Sequence, residues 1–201
     1  MSALDAGRVL VVAATPEEAG HLPAGTPLVV TGMGKTLAGV ATARALYERA
    51  GQVDLVVNLG TAGALRPGLV GLHRPRRVLN HDLAAGAIRS LGHDPFDELE
   101  LAHGDETVLA TGDAFVSDPV VRDRLAQRAH LVDMEGYAVA WACREAGLPL
   151  LLVKHVSDSA DASAHDWPSV VDASARVLAE ALAELLESGP DGPDGPDAQT
   201  G

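Results

Sequence analysis

Residues 131–161 read LVDMEGYAVAWACREAGLPLLLVKHVSDSAD, and their order decides the fold class. Asp133, Met134 and Glu135 stand where a short apolar segment gives way to a helix. From Glu135 to Ala146, Val139, Ala142, Cys143 and Ala146 recur at the spacing of one buried helical face, and Gly147 with Pro149 supplies a stop. The apolar run Leu148–Val153 then leads straight into Lys154, His155, Ser157 and Asp158. A helix followed by a wholly apolar strand is the repeating unit of an α/β protein, in which ligands sit outside the carboxyl ends of the strands. Asp158 falls at such an end.

Working outward, the chain repeats this alternation. Arg8–Ala14, Pro27–Thr31, Asp54–Asn58, Arg76–Asn80 and Glu106–Thr111 read as strands, several of them continuous apolar runs suited to burial on both faces. Thr15-Pro16-Glu17-Glu18 resembles a helix start, since proline and carboxylates both suit a first turn. Gly32-Met33-Gly34-Lys35-Thr36 opens a helix to about Ala50, with Val40, Ala43, Leu46 and Tyr47 on one face. Those letters suggest a phosphate loop, but that motif requires glycine five positions before Gly34, where Val29 stands. Gly60-Thr61-Ala62-Gly63 follows the third strand as a tight turn or as room for a ligand.

Leu83–Asp105, broken by Gly86, Gly92, Pro95 and Gly104, is expected to be mostly irregular. Asp118 is placed to cap a short helix over Pro119–Arg128. Asp166 and Pro168 announce a last helix with Val171, Leu178, Leu182 and Leu185 toward the core. These elements predict a single three-layer α/β/α domain over residues 1–187 with a central mixed, mostly parallel sheet. The repeat GPDGPDGPD within residues 188–201 predicts a disordered acidic tail.

Composition narrows the partners. The 201 residues carry a formal net charge of −13, and their 15 Lys and Arg are scattered. That argues against nucleic acid and against anionic membranes, which select clustered cations. Cys143 is the single cysteine, so no internal disulfide can form and a cytoplasmic protein is expected. No signal peptide or membrane span is evident at MSALDAGRVL. The eight histidines include no pair at metal-ligand spacing, so neither a metal nor another cofactor is expected.

Six segments in order, AATPEE, TGMGKTLAG, NLGTAG, TGDAFVSD, VDMEGYAVAWAC and VKHVSDSAD, resemble the nucleoside phosphorylase and nucleosidase superfamily. Within it they are most similar to the methylthioadenosine/S-adenosylhomocysteine nucleosidases. The resemblance implies a purine nucleosidase in which Glu18 activates the attacking water and Asp158 protonates purine N7. It assigns Ser157 to orienting Asp158, Glu135 to the ribose hydroxyls and Met134 to packing under the sugar. Phe115 and Val116 would meet the purine, and Thr61, Ala62 and Gly63 would lie beneath sugar and base. Lys154 stands where such enzymes usually carry arginine, which alters the network that positions water. The family's usual homodimer is implied too, although residues 83–105 form a shorter segment than in typical members.

The chemistry asks for this pair of acids. Breaking a purine N-glycosidic bond leaves a cationic sugar and a poor leaving group, so a proton donor and a base for water belong on opposite sides of the bond. A phosphorylase would instead need arginines near AATPEE and NLGTAG, and neither segment has one. A futalosine or inosine hydrolase would handle a 6-oxopurine, and the resemblance implies that such relatives often carry Asn at the acid position, whereas Asp158 favours a 6-aminopurine. A purine-nucleoside-binding protein without turnover is the alternative of another class.

Overall fold

Alternate residues of the first strand, β1 (Val9–Ala13), serve two separate cores, and this organises the molecule. Leu10 and Val12 pack in a cluster with residues of α1 (Lys35–Glu48) and α4 (Gly136–Ala146). Val9 and Val11 pack in another, with Leu178, Leu182 and Leu185 of α5 (Trp167–Ser188). The strand period of two thus places helices on both faces of the sheet, and all five residues of β1 are buried. The computed structural model describes residues 4–161 and 167–190. Asp166, and residues 191–201 of the expected tail, lie outside them.

Among the described residues nine strands form one sheet. β1 pairs in parallel with β2 (Leu28–Val30) and with β3 (Leu55–Ala64), and β3 pairs in parallel with β9 (Leu150–Asp158). The short β4 (Leu72–His73) runs antiparallel to β9. On the other side, β5 (Pro75–Asn80), β7 (Asp105–Thr111) and β8 (Leu131–Asp133) are parallel neighbours, with β6 (Glu98–Glu100) antiparallel at the edge. β8 returns antiparallel along the upper part of β3, pairing Val132 with Gly63. A third cluster, from Leu79, Val108, Ala110 and Val132, is closed by Val121 and Leu125 of α3 (Pro119–Leu125). The expected mixed, mostly parallel sheet between helical layers is the observed fold.

Several local expectations are corrected. Gly60–Gly63 is strand, not turn: it pairs residue by residue with Lys154–Asp158, with a register shift between Ala62 and Gly63. β9 likewise runs on through Asp158, because β3 and β4 pair with its second half. Pro16–Glu18 belongs to a series of turns rather than a helix. Thr15 and Glu18 still exchange reciprocal hydrogen bonds, Glu18 N to Thr15 Oγ1 and Thr15 N to a Glu18 carboxylate oxygen, both 3.3 Å. In α1, Val40, Ala43 and Tyr47 are exposed, and the buried face is Ala38, Thr42, Ala45 and Leu46. Close packing on α4 explains the choice: a Cβ at Gly39 would lie 3.7 Å from that of Ala138, so small residues line the contact. In α4, Ala146 is exposed while Tyr137 and Ala140 join the buried face. The 83–105 region contains α2 (Ala85–Ser90) as well as β6, whose pairing with β5 supplies order that local sequence does not.

Candidate active site

The carboxyl ends of β1, β7, β8 and β9, with the second half of β3, surround a cavity of about 270 Å³. Its wall contains Thr15 and Glu18 after β1, Thr61, Ala62 and Gly63 of β3, and Phe115 and Val116 after β7. Met134 and Glu135 after β8, and Ser157 and Asp158 at the end of β9, complete it. The structure therefore brings ten of the eleven expected site residues to one cavity. Lys154, the eleventh, is not in the wall. Met33 and Asp133 line the cavity as well. Among the described residues no arginine, lysine or histidine does.

Glu18 is buried and firmly held. One carboxylate oxygen accepts from Thr61 N at 2.7 Å and from Thr61 Oγ1 at 2.9 Å, and the other from Thr15 N. The resident carboxylate thus occupies the amide and hydroxyl donors that a bound oxyanion would otherwise use. Gly60 makes room for it, since a Cβ there would stand 3.1 Å from Glu18 Oε1. The signal for Thr15 was legible as a T-x-x-E pattern, in which the threonine fixes the acid three residues on.

Asp158 lies two residues further along β3, beside Gly63, where a Cβ would come within 3.0 Å of its Oδ1. That oxygen accepts from Ala160 N at 2.8 Å, while Ser157 Oγ lies 2.7 Å from Oδ2. A backbone donor thus fixes one oxygen and a rotatable hydroxyl donates to the other. Thr61 and Gly63 are separated by roughly 7 Å in an extended strand.

Glu135 begins α4 and closes the third side. Its Oε1 accepts from Gly34 N at 2.7 Å, while Asp113 Oδ1 accepts from Lys35 N at 2.8 Å. The positive end of α1 is therefore occupied by two of the chain's own carboxylates, which explains GMGKT without a phosphate. The Lys35 ammonium is held by Asn80 at 2.8 Å and by Asp82. Burial pushes the Glu135 carboxyl up to about 7, and Asp133 and Glu18 add to the shift, while the Gly34 N–H and Lys154 oppose it.

Lys154 lies beneath this floor, its side chain 2% exposed and its Nζ 2.9 Å from Asp133 Oδ2. Burial works against its charge, but Asp133, Glu135 and Glu18 outweigh burial and raise its pKa. Asp133 also accepts from Thr111 Oγ1 at 2.6 Å and from Gly136 N at 2.9 Å. The sequence placed Asp133 at the mouth of the helix without showing this role, because its partners come from β7 and β9. Among the described residues no group of three or more His, Cys, Asp or Glu side chains could hold a metal ion.

The fold agrees with the comparisons. Residues 18–188 match the model of the phosphorylase superfamily, and the chain belongs to that family. It is 27% identical over 166 residues to the 5'-methylthioadenosine/S-adenosylhomocysteine nucleosidase of Buchnera aphidicola, a match spanning 69% of this chain and 64% of that protein. It is 28% identical over 165 residues to the enzyme of the same name from Shewanella putrefaciens, spanning 69% and 71%. The Neisseria meningitidis nucleosidase in complex with methylthio-immucillin-A superposes with a TM-score of 0.75 at 25% identity, over 90% of this chain and 98% of that one. Futalosine hydrolase from Helicobacter pylori gives 0.75 at 22% identity, over 89% and 96%.

Proposed function

We propose that this protein is a purine nucleosidase that hydrolyses the N-glycosidic bond of adenine nucleosides such as methylthioadenosine or S-adenosylhomocysteine. The observation that carries the reading is the pair of carboxylates, Glu18 over Thr61 and Asp158 beside Gly63, on one cavity whose described lining residues include no basic side chain.

In the proposed reaction the Asp158 carboxyl gives its proton to purine N7 as the C1'–N9 electron pair passes to the base. Ser157 orients the donor. Water attacks C1' of the cationic sugar and passes a proton to Glu18, giving free purine and the free sugar with its 5'-thio substituent intact. Glu135 holds the sugar hydroxyls, Met134 packs under the ring, and Phe115 with Val116 flanks the base. Lys154 supports the site from below. An aspartate can accept from the 6-amino group next to N7, which favours adenine over a 6-oxopurine. Phosphate in place of water is disfavoured because Glu18 occupies the amide and hydroxyl of Thr61.

The test is purine release from methylthioadenosine, S-adenosylhomocysteine, adenosine, inosine and futalosine, each with and without phosphate. Adenine release independent of phosphate is expected, with Glu18→Gln and Asp158→Asn each losing on the order of 100- to 10,000-fold in kcat. Release only with phosphate would overturn the role of Glu18. Faster release from inosine or futalosine would move the substrate to the 6-oxopurines. Binding of adenine nucleosides without any turnover would make the protein a binding module.

A cytoplasmic homodimer completes the proposal. No helix among the described residues is long and apolar enough to cross a membrane. Met33, which lines the cavity, continues into exposed apolar residues of α1 that a second copy could cover.

A further inference from the structure

We infer that Asp133 and Lys154 form a buried positioning pair that sets the charge and placement of Glu18 and Glu135 together, without either member binding the nucleoside. The inference rests on the nucleosidase reading and deepens it. Its basis is connectivity. Asp133 ties three elements to one carboxylate: Thr111 at the end of β7, Gly136 in the first turn of α4 and Lys154 of β9. Gly136 is adjacent to Glu135, so the hydrogen bond to its N–H fixes the backbone from which Glu135 projects. On the other side, a Cβ at Gly60 would stand 3.1 Å from Glu18 Oε1 and 3.4 Å from Lys154 Nζ, which puts the ammonium and the base over the same glycine.

Among the described residues three charged groups act on Glu135. Asp133 faces it from β8, Lys154 from β9 and Glu18 from the loop after β1, and α1 contributes the Gly34 N–H. The ammonium pairs with Asp133 and acts on Glu18 and Glu135 through space, all four residues being buried. The cation lies nearest Asp133, at 2.9 Å, and so is kept out of the cavity, where it would attract anions in place of a neutral nucleoside. Asp133 thereby decides that Lys154 acts through Glu18 and Glu135 only. The two residues are positioning residues, distinct from the acid and the base.

A buried ion pair can be replaced by apolar side chains with little loss of stability, so structure and charge can be separated. The experiment compares Asp133→Leu combined with Lys154→Met, Asp133→Asn alone, and Lys154→Arg. Thermal unfolding, kcat and KM over pH 5–9, and NMR titration of the Glu135 carboxyl are read for each. The charge-free double variant should unfold near the wild-type temperature, lose on the order of 100-fold in kcat and keep KM within a few-fold. In it the Glu135 titration should move from its wild-type position. Lys154→Arg, which keeps the charge, should keep most of the wild-type rate.

A folded double variant with wild-type kcat and an unmoved Glu135 titration would reduce the pair to packing and overturn the inference. If the double variant does not fold, Asp133→Asn decides: a kcat loss at wild-type unfolding temperature supports it, and wild-type kcat overturns it. Should the wild type release no purine from any nucleoside, the nucleosidase reading fails by itself. The Glu135 titration then still tests the pair.

Discussion

At Glu135, burial and neighbouring charge push the same way, and the consequence can be read as stability. Its carboxyl is raised from 4.5 to about 7, first by burial and then by Asp133. Between those values the folded chain keeps a proton that the unfolded chain gives up. The stabilisation is fully present below about pH 4.5 and is lost as pH rises through about 7, a change on the order of 3 kcal/mol. Glu135→Gln, which keeps an acceptor for Gly34 N–H, removes this dependence. The variant should gain on wild type in unfolding temperature from pH 5 to pH 8, and a gap constant across that range would sink the argument. In the proposed reaction activity runs the other way, because an ionised Glu135 would be the better partner for a sugar that becomes cationic, so kcat/KM should rise through the same window. The acids themselves were legible as residue types in short motifs. Their hydrogen bonds were not, because Thr61, Asp133 and Lys154 meet only after β3, β8 and β9 have paired.

At the scale of elements, legibility followed side-chain size. α5 was readable because Val171, Leu178, Leu182 and Leu185 are large, aliphatic and on one face, and all four are buried. α1 was misread for the converse reason: Val40 and Tyr47 carry the hydrophobicity, while Ala38, Thr42 and Ala45 make the contact that needs a close approach to α4. Gly60–Gly63 looked like a turn for want of bulk, yet those residues are small because Glu18, Lys154 and Asp158 pass over them. α4 offers a direct check on its assigned face. Cys143 is 1% exposed, and burial pushes its thiol up to about 12. The native protein should therefore resist a thiol reagent at pH 8, and one equivalent should react on denaturation. Prompt stoichiometric labelling of the native form would show that α4 does not pack as described.

On the scale of the whole molecule, the apolar surface and the net charge pull in opposite directions. Leu37, Val40 and Tyr47 recur at intervals of three and seven along α1 and are 55%, 65% and 85% exposed. Met33, 53% exposed, extends the stripe to the rim of the cavity. A stripe of this kind on one side of a helix is suited to a second copy of itself. Each chain, however, carries a formal net charge of −13, so two chains repel until salt screens them. Sedimentation should therefore find the proposed dimer, and find it tighter at 0.5 M salt than at 0.05 M. Leu37→Glu combined with Val40→Glu, which adds charge to the stripe without touching a buried residue, should leave a folded monomer. Because Met33 sits where the stripe meets the cavity, that monomer should show a raised KM with kcat less affected. Wild-type protein sedimenting as a monomer at every salt concentration would sink the dimer. The stripe would then be surface alone, and the cavity would be complete within one chain.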